Sequence, residues 1–322
     1  MKKSKIKNFI VTGGAGFIGS NLVKLLLKKF NCNITVIDNF STGLKNHLIK
    51  NSRIKIVKAD LLNFKKIKKI FQNKDTVFHF AANADVRYGL QNPKKDLQQN
   101  AICTFNVLEA MRLYNIKKIV FTSTAPIYGD TNVFPTPESP PMPLQTSLYG
   151  SSKLYCESLI QSYCEGYNFQ SWIYRFVSIL GPNYSHGHVF DFVKSLLKNK
   201  KKLKILGNGN QKKSYLHVED AINAILISYL KSKNKVNIFN LGTDDYLLVK
   251  DSAKLISGIM NLKPKFVFTG GNSGWIGDQP KVLLNIKKIK SLGWKNKYSI
   301  KDSIIDTTKW ILNNKWIFKL RK

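Results

Sequence analysis

The sequence is poor in acidic residues and cysteines, and it has no long apolar run. It contains 19 Asp and Glu against 52 Lys and Arg, so its formal net charge is +33. The lysines are dispersed along the whole chain, without a zinc-finger or recognition-helix motif. We therefore expect no nucleic-acid partner, although a positive field attracts anionic ligands. Because no apolar run reaches membrane-spanning length, we expect no membrane partner and a cytoplasmic protein.

The cysteines and histidines also lack the spacing that is typical of metal-binding sites. The four cysteines form no CxxC pair, and the five histidines do not cluster with acidic residues. His186 and His188 come nearest to a metal-binding pair, but no further ligand lies beside them in the sequence. The pattern predicts reduced thiols and no metal.

A glycine-rich turn is the most informative stretch. An apolar run, Phe9–Thr12, leads into Gly13-Gly14-Ala15-Gly16, and an apolar-periodic segment, Phe17–Leu27, follows. This order of strand, turn and helix is typical of a dinucleotide-binding unit. Gly13 would permit the turn, Gly16 would let the backbone approach a pyrophosphate, and Gly19 would let helix and strand pack closely. The helix N-terminus offers N–H groups to phosphates.

An acidic residue ends the second predicted strand. Ile34–Ile37 is apolar, and Asp38 follows roughly 20 residues beyond the glycines, where dinucleotide-binding folds place an acid. A carboxylate here accepts hydrogen bonds from ribose hydroxyls and repels a 2′-phosphate, which favours NAD over NADP.

Strands and helices alternate along the chain. We predict further strands and helices, and an irregular loop at Ser123–Leu148, from apolar runs and periodicity. The strands are Arg53–Ala59, Thr76–Phe80, Lys118–Thr122 and Phe169–Phe176, and the helices are Asn63–Gln72, Pro93 to about Tyr114, and Tyr149–Glu165. This alternation predicts an α/β fold with a doubly wound parallel sheet, whose ligands bind beyond the carboxyl ends of the strands.

The candidate chemistry lies at Tyr149 and Lys153. Their i, i+4 spacing puts both side chains on one face of a helix. A nearby ammonium favours the tyrosinate, so we expect Lys153 to lower the pKa of Tyr149 and make it a general base. Thr124, just past the fifth strand, could bind the same substrate hydroxyl. An exposed Tyr/Lys pair without function is the alternative for this motif taken alone.

Taken together, these motifs resemble the extended short-chain dehydrogenase/reductase family, and within it the UDP-glucose 4-epimerase-like enzymes. The resemblance covers nearly the whole chain. Its motifs are Thr12–Gly19, Ile37–Gly43, Asp60-Leu61, Phe78–Ala82, Asn100, Ser123–Gly129, Tyr149–Lys153 and Lys213–Asp220.

The resemblance implies NAD as cofactor and a catalytic set of Tyr149, Lys153 and Thr124. The cofactor-binding residues would be Gly13, Gly16, Phe17, Ile18, Gly19, Asp38, Asn39, Ser41, Thr42, Asp60, Leu61, Phe80, Ala81, Ala82, Asn100, Tyr149 and Lys153. The substrate-binding residues would be Ser123, Thr124, Ser178, Val189, Phe190, Lys213, Tyr215, Trp275 and Asp278.

Three positions depart from the family pattern. Ser178 stands where many 4-epimerases have Asn, and Lys213 and Trp275 stand where arginines are common. Lysine keeps the charge of arginine but not its forked geometry. Trp275 could stack on a base or pack within the protein.

The resemblance also implies a domain plan. A Rossmann-type NAD-binding domain would span residues 1–180, with later returns near 217–242. A smaller sugar-nucleotide-binding lobe would comprise residues 181–216 and 246–322. A homodimer would form through the helices at Pro93–Tyr114 and Tyr149–Glu165, although their apolar faces could instead be core.

The function implied is epimerisation of a nucleotide sugar, UDP-glucose/UDP-galactose by default, through a transient 4-keto intermediate. Three alternatives remain open: a ketosugar reductase or dehydrogenase, a 4,6-dehydratase, and a non-catalytic NAD-binding protein. Dehydratases of this family carry an acidic pair after the threonine, where this chain has Ala125-Pro126.

Overall fold

The computed structural model describes residues 6–83, 91–140 and 144–320. They form two compact units: unit 1 comprises residues 1–127, 148–175 and 225–239, and unit 2 comprises 128–147, 176–224 and 240–322. The predicted sheet domain differs at its edges, since residues 128–147, 176–180, 217–224 and 240–242 belong to unit 2. Hydrogen bonds explain the first difference, because the Gln279 side chain donates to the Gly129 carbonyl and the Thr136 amide donates to the Leu283 carbonyl.

The elements follow one another in the predicted alternation. The strands are β1 (Lys7–Thr12), β2 (Cys32–Asp38), β3 (Ile54–Lys58), β4 (Thr76–His79), β5 (Lys118–Thr124), β6 (Gln170–Phe176), β7 (Ser178–Leu180), β8 (Lys202–Ile205), β9 (Lys212–Lys213), β10 (Tyr215–His217), β11 (Val236–Leu241), β12 (Leu247–Leu248), β13 (Lys265–Phe268) and β14 (Lys281–Val282). The helices are α1 (Phe17–Lys29), α2 (Phe64–Ile67), α3 (Pro93–Asp96), α4 (Cys103–Leu113), α5 (Leu148–Tyr167), α6 (His188–Lys198), α7 (Val218–Lys231), α8 (Val249–Ile259), α9 (Lys287–Ser291), α10 (Ile300–Asn313) and α11 (Ile317–Leu320).

A seven-stranded sheet in the order β11-β6-β5-β4-β1-β2-β3 confirms the predicted Rossmann-type fold. β1 pairs in parallel with β2 on one side and with β4 on the other. The chain therefore builds outward from β1 in one direction and then crosses to β4. In such sheets ligands bind at this reversal, beyond the carboxyl ends of the strands.

Both faces of the sheet are covered because successive residues point to opposite sides of a strand. On one side Ile10 and Val77 join the apolar core that α4 and α5 also line. On the other side Phe9 packs edge-on against Phe78, with ring centroids 5.4 Å apart. Phe78 in turn contacts Tyr229 of α7.

Three local features refine the predictions. The predicted helix Asn63–Gln72 is α2 followed by a 3₁₀ turn, Lys68–Phe71, which ends before Asn73 adopts a positive φ of 57°. The long helix from Pro93 contains a π-helical segment, Leu97–Ile102, between α3 and α4. β5 extends to Thr124, and a 3₁₀ turn, Ala125–Tyr128, follows. Residues 141–143 of the predicted loop lie outside the described residues.

Unit 2 combines short sheets with amphipathic helices. β7 pairs with β10, β8 with β13, and β9 lies between β12 and β14. Ser299 and Asp302 form a capping box at the start of α10. Among the described helices, none is long and apolar enough to cross a membrane. The described residues also contain no cluster of three or more His, Cys, Asp or Glu side chains arranged to hold a metal.

A buried ion pair joins α5 to β6 in unit 1. Arg175 donates to Glu157 from Nη2 at 2.7 Å and from Nε at 3.1 Å. The Glu157 side chain is fully buried, and that of Arg175 is 8% exposed. Removal of one partner of such a pair leaves an uncompensated buried charge, whereas replacement of both by apolar residues is often tolerated.

We expect Glu157→Gln to lower the free energy of unfolding by about 3 kcal/mol, because the Arg175 charge then loses its counter-ion. Urea denaturation followed by circular dichroism measures this change. Glu165→Gln, on the same helix but 81% exposed, is the control. We expect the control to stay within about 0.5 kcal/mol of wild type. The double variant Glu157→Leu/Arg175→Met should recover most of the loss. Equal effects of Glu157→Gln and Glu165→Gln would contradict the assignment.

Candidate functional site

The glycine turn after β1 is shaped by close backbone contacts. Gly13 has a φ of +67°, and a Cβ there would lie 2.6 Å from the Ala81 amide nitrogen. A Cβ on Gly19 would collide with the Gly13 carbonyl oxygen. Only glycine is small enough at positions 13 and 19 for the backbone segments to come this close. The residues that follow β1 and β4 therefore lie directly beside the start of α1.

The amino end of α1 is open to an anion. Gly16 caps the helix without a side-chain hydrogen bond, and the first turn contains no acidic residue. A Cβ on Gly16 would meet only the Gly13 carbonyl oxygen, 3.1 Å away. The Phe17 side chain is buried and Ile18 is partly buried, so both residues offer chiefly backbone amides here. The partial positive charge of the helix end favours a phosphate group.

Asp38 ends β2 next to this turn. Its Oδ2 accepts from the Ala15 amide at 3.0 Å, and its Oδ1 accepts from the Phe40 amide at 2.8 Å. Burial raises the pKa of the carboxyl group, while these two amides oppose the shift. The Asn39 side chain donates to Asp60 Oδ2 at 3.2 Å. The structure thus brings three of the predicted ribose- and adenine-side residues together.

The remaining candidate cofactor residues border the same edge of the sheet. The Ala81 amide donates to Thr12 Oγ1 at 3.3 Å, and Phe80 and Ala82 are partly buried. Leu61 is buried, and its carbonyl accepts from the Asn106 side chain at 2.8 Å. Ser41 and Thr42 are exposed.

Thr124, Tyr149 and Lys153 form the candidate catalytic group. Thr124 ends β5, and its hydroxyl is hydrogen-bonded to the Tyr149 side chain. Lys153 is 2% exposed, and its Nζ donates to the Thr122 carbonyl at 2.9 Å. The ammonium also lies 4.6 Å from the centroid of the Phe121 ring.

The expected lowering of the Tyr149 pKa is wrong for the protein alone. Burial raises the pKa of Tyr149 to about 12, and the hydrogen bond from Thr124 opposes this only in part. Burial likewise lowers the pKa of Lys153 to about 8. Desolvation penalises the charged form of both groups and outweighs their i, i+4 spacing.

Ser123 supplies a polar atom suited to a ligand. Its Oγ is buried and has no hydrogen-bond partner among the described residues. A buried hydroxyl without a partner carries a desolvation cost that a bound polar group would remove. The narrow glycine cradle, the open end of α1 and this hydroxyl fit a dinucleotide bound along this edge.

The structure places several polar residues in this region that the sequence motifs did not predict. His79 ends β4 between Thr12 Oγ1 at 2.7 Å and Thr104 Oγ1 at 3.0 Å, and burial lowers its pKa to about 3. Asp96, Asn83 and Ser152 surround the predicted cofactor residue Asn100. The i, i+4 spacing of Asp96 and Asn100 was a signal that could have indicated Asp96.

In unit 2 the structure brings together three of the substrate candidates. Lys213 Nζ donates to Asp278 Oδ1 at 2.6 Å and to the Gln279 carbonyl. The ammonium lies 5.8 Å from the centroid of the Trp275 ring. Burial lowers the pKa of Lys213, and Asp278 opposes this shift. Trp275 is about one-third exposed.

The other unit 2 candidates have different environments. Tyr215 stacks on His188, with ring centroids 4.8 Å apart, and burial raises the pKa of Tyr215. Val189 and Phe190 have buried side chains, and Phe190 packs against Phe318. Because the side chains of Val189 and Phe190 lie in the core, only the backbone amides of these residues, in the first turn of α6, are available to a substrate. Ser178 is exposed on β7.

A parallel sheet with a glycine turn at its strand reversal and an acid ending β2 defines a dinucleotide-binding fold. A buried Thr, Tyr and Lys group beside that edge indicates an enzyme that uses the dinucleotide. A sequence model of the NAD dependent epimerase/dehydratase family matches residues 9–242. The chain belongs to this family, and it is an NAD-dependent enzyme.

Individual relatives cover nearly the whole chain. A putative UDP-glucose 4-epimerase of Methanocaldococcus jannaschii is 35% identical over 95% of this chain and 98% of its own length. A UDP-glucose 4-epimerase of Thermotoga maritima, solved with UDP-glucose, has a TM-score of 0.86 at 30% identity, covering 95% and 99% of the two chains. The human dTDP-D-glucose 4,6-dehydratase is 29% identical over 96% of this chain and 91% of its own.

We expect Gly19→Ala to abolish NAD binding, since the new methyl group would push α1 away from the Gly13 carbonyl. The amount of NAD that stays bound to the purified protein, released by acid and assayed enzymatically, measures the loss. Gly166→Ala is the matched control, because a Cβ there meets no atom within 4 Å. The control should bind NAD like wild type and gain up to about 1 kcal/mol of stability from helix propensity. Normal NAD affinity in Gly19→Ala would contradict the close-approach argument.

Proposed function

We propose that this protein is a nucleotide-sugar 4-epimerase that interconverts UDP-glucose and UDP-galactose. The observation that carries the proposal is the buried Thr124, Tyr149 and Lys153 group, followed by a 3₁₀ turn, Ala125–Tyr128, that contains no acidic residue. The similarity to 4-epimerases at up to 35% identity supports the same reaction class.

In this proposal the cofactor lies along the carboxyl edge of the unit 1 sheet. The α1 amino end would hold the pyrophosphate, and Asp38 with Asn39 would hold the adenosine ribose. Asp60 and Leu61 would flank the adenine, and Phe80–Ala82 would line the groove. NAD, when bound, supplies a reversible hydride acceptor and, in its oxidised form, a positive charge that favours ionised Tyr149.

Tyr149 is the proposed acid and base. It would take the proton from the sugar O4 as the C4 hydrogen leaves as a hydride, and it would return a proton to that oxygen as a hydride is restored to the opposite face of C4. Thr124 would donate a hydrogen bond to the same oxygen and orient it. Lys153, held by the Thr122 carbonyl, would bind the nicotinamide ribose and keep a positive charge near the phenol. Redox is internal, so no net NAD is consumed.

Unit 2 is proposed to hold the nucleotide. Lys213 already contacts Asp278 and the Gln279 carbonyl, so one ammonium hydrogen remains for a diphosphate oxygen. The first-turn amides of α6, at Val189 and Phe190, would add donors at a helix amino end. Trp275 would offer an aromatic face to the base beside the Lys213 ammonium.

Two enzyme alternatives and one non-enzyme alternative remain distinguishable. A 4,6-dehydratase needs an acid to remove water, and no acid follows Thr124 in the described turn. A ketosugar reductase would consume added NAD or NADH stoichiometrically. A non-catalytic NAD-binding protein would leave every nucleotide sugar unchanged.

We expect purified protein to convert UDP-glucose and UDP-galactose into each other without added cofactor. Tyr149→Phe should lower kcat by about a thousandfold or more, since it removes the proton-transfer group. Chromatography of the nucleotide sugars measures both. Tyr167→Phe, at an exposed tyrosine at the other end of the same helix, is the control and should keep wild-type kcat. A 4-keto-6-deoxy product, or net NADH consumption, would overturn the epimerase proposal.

We also propose a cytoplasmic homodimer formed through the helical segment from α3 to α4 together with α5. Large apolar side chains are exposed on these helices rather than in the core: Leu97, Ile102, Phe105, Leu113, Leu148 and Tyr155. A second copy that presents the same face would bury them in a symmetric interface.

Phe105→Glu is expected to convert the dimer to a monomer, because it places a charge in the buried interface. Size-exclusion chromatography with light scattering measures the mass. Leu230→Glu, at an exposed apolar site on α7 (49% exposed, against 42% for Phe105), should leave the dimer intact. A wild-type monomer at micromolar concentration would refute the dimer.

A further inference from the structure

A buried polar network lies beside the candidate catalytic helix. Asp96 is 1% exposed at the end of α3, and its Oδ1 accepts from the Asn83 side chain at 2.7 Å and from the Asn100 side chain at 3.4 Å. Asn83 follows β4 directly after Phe80–Ala82. Its backbone amide donates to Asn100 Oδ1 at 2.9 Å.

The network continues into α5. Asn100 Nδ2 donates to Ser152 Oγ at 2.8 Å, and Ser152 Oγ donates to the Tyr149 carbonyl at 2.8 Å. Asn100 lies in the π-helical segment Leu97–Ile102, where the Cys103 amide bonds to the Gln98 carbonyl five residues back. Such widened turns recur at functional sites, where they direct a side chain out of the regular helical register.

We propose that Asp96 is a positioning residue that fixes the amino-terminal turns of α5 against the carboxyl end of β4. Its carboxylate is the acceptor shared by both asparagines, and Asn100 passes the constraint to Ser152 and the Tyr149 backbone. These hydrogen bonds thus fix the position of α5, which carries Tyr149 and Lys153, relative to the carboxyl end of β4. That strand end borders the proposed cofactor site. This inference rests on the proposed function only where it concerns turnover.

Asp96 also bears on the charge of Lys153. Burial is the largest influence on the Lys153 pKa and lowers it to about 8, while smaller influences of Cys156, Glu157 and Asp96 oppose this. The titratable groups whose charges interact with Lys153 are His79 of β4, Asp96 of α3, and Cys156 and Glu157 of α5. Glu157 is itself paired with Arg175 of β6. Loss of the Asp96 charge therefore favours neutral Lys153.

The test compares Asp96→Ala, Asp96→Asn and the control Glu165→Gln in the full-length, NAD-loaded protein. Hydrogen exchange of peptides covering residues 148–156 measures how often the backbone hydrogen bonds at the start of α5 open. This measurement needs no substrate. We expect at least about fivefold faster exchange in Asp96→Ala, near wild-type exchange in Asp96→Asn, which keeps the Oδ1 acceptor, and no change in the control. Equal exchange in Asp96→Ala and the control would overturn the proposal.

Turnover of UDP-glucose supplies the second measurement. We expect kcat to fall about tenfold to a hundredfold in Asp96→Ala with KM changed less than about twofold, since a misplaced reacting group costs rate. In Asp96→Asn the high-pH decline in kcat, expected near pH 8 in wild type from the Lys153 pKa, should begin at a lower pH, because the Asp96 charge that raises this pKa is lost. An unchanged kcat and an unchanged pH profile would overturn the proposal. If wild type converts no UDP-sugar, the proposed function fails, and the exchange comparison still decides the role of Asp96.

Discussion

The close backbone approach at the end of β1 is the constraint on which unit 1 depends. Gly13 lies against the Ala81 amide, and Gly19 lies against the Gly13 carbonyl, with no space for a Cβ at either position. These contacts draw α1 down onto the strand ends and leave its amino end without a side-chain cap. The carboxyl edge of the sheet consequently presents backbone donors to an anion, and β2 and β4 deliver Asp38 and Phe80–Ala82 to the same edge.

Burial determines the chemistry of the side chains beside this edge. Tyr149, Lys153 and His79 are all desolvated, and in each case burial favours the neutral form, with pKa values of about 12, 8 and 3. Without a ligand, Tyr149 is therefore a neutral phenol, and the Lys153 ammonium loses its proton more readily than an exposed lysine does. In the proposed reaction, the positive charge of a bound oxidised cofactor would favour the tyrosinate form of Tyr149. The proposed catalysis would therefore depend on the charge of the cofactor as well as on these side chains.

Unit 2 shows how a departure from the family pattern can be accommodated. Where the resemblance leads one to expect two arginines, the chain has Lys213 and Trp275, and the ammonium lies near the indole while bonding to Asp278. Lysine lacks the fork of arginine, so it neutralises a single carboxylate oxygen and leaves little capacity for a bidentate phosphate contact. We expect the α6 amino end to supply more of the diphosphate recognition for this reason.

The local pattern of residues was sufficient to predict the glycine turn, the order of strands and helices, the acid that ends β2 and the Tyr149 and Lys153 pair. Each of these depends on backbone conformation or on spacing of a few residues, which a sequence displays directly. The tertiary structure alone decided the direction of the Tyr149 pKa, the Glu157 and Arg175 ion pair, the core positions of Val189 and Phe190, and the Asp96 network. These features depend on desolvation and on contacts between residues that are distant in the chain, such as Asn100 with Ser152. A local sequence pattern does not show how deeply a side chain is buried or which strand end packs beside it.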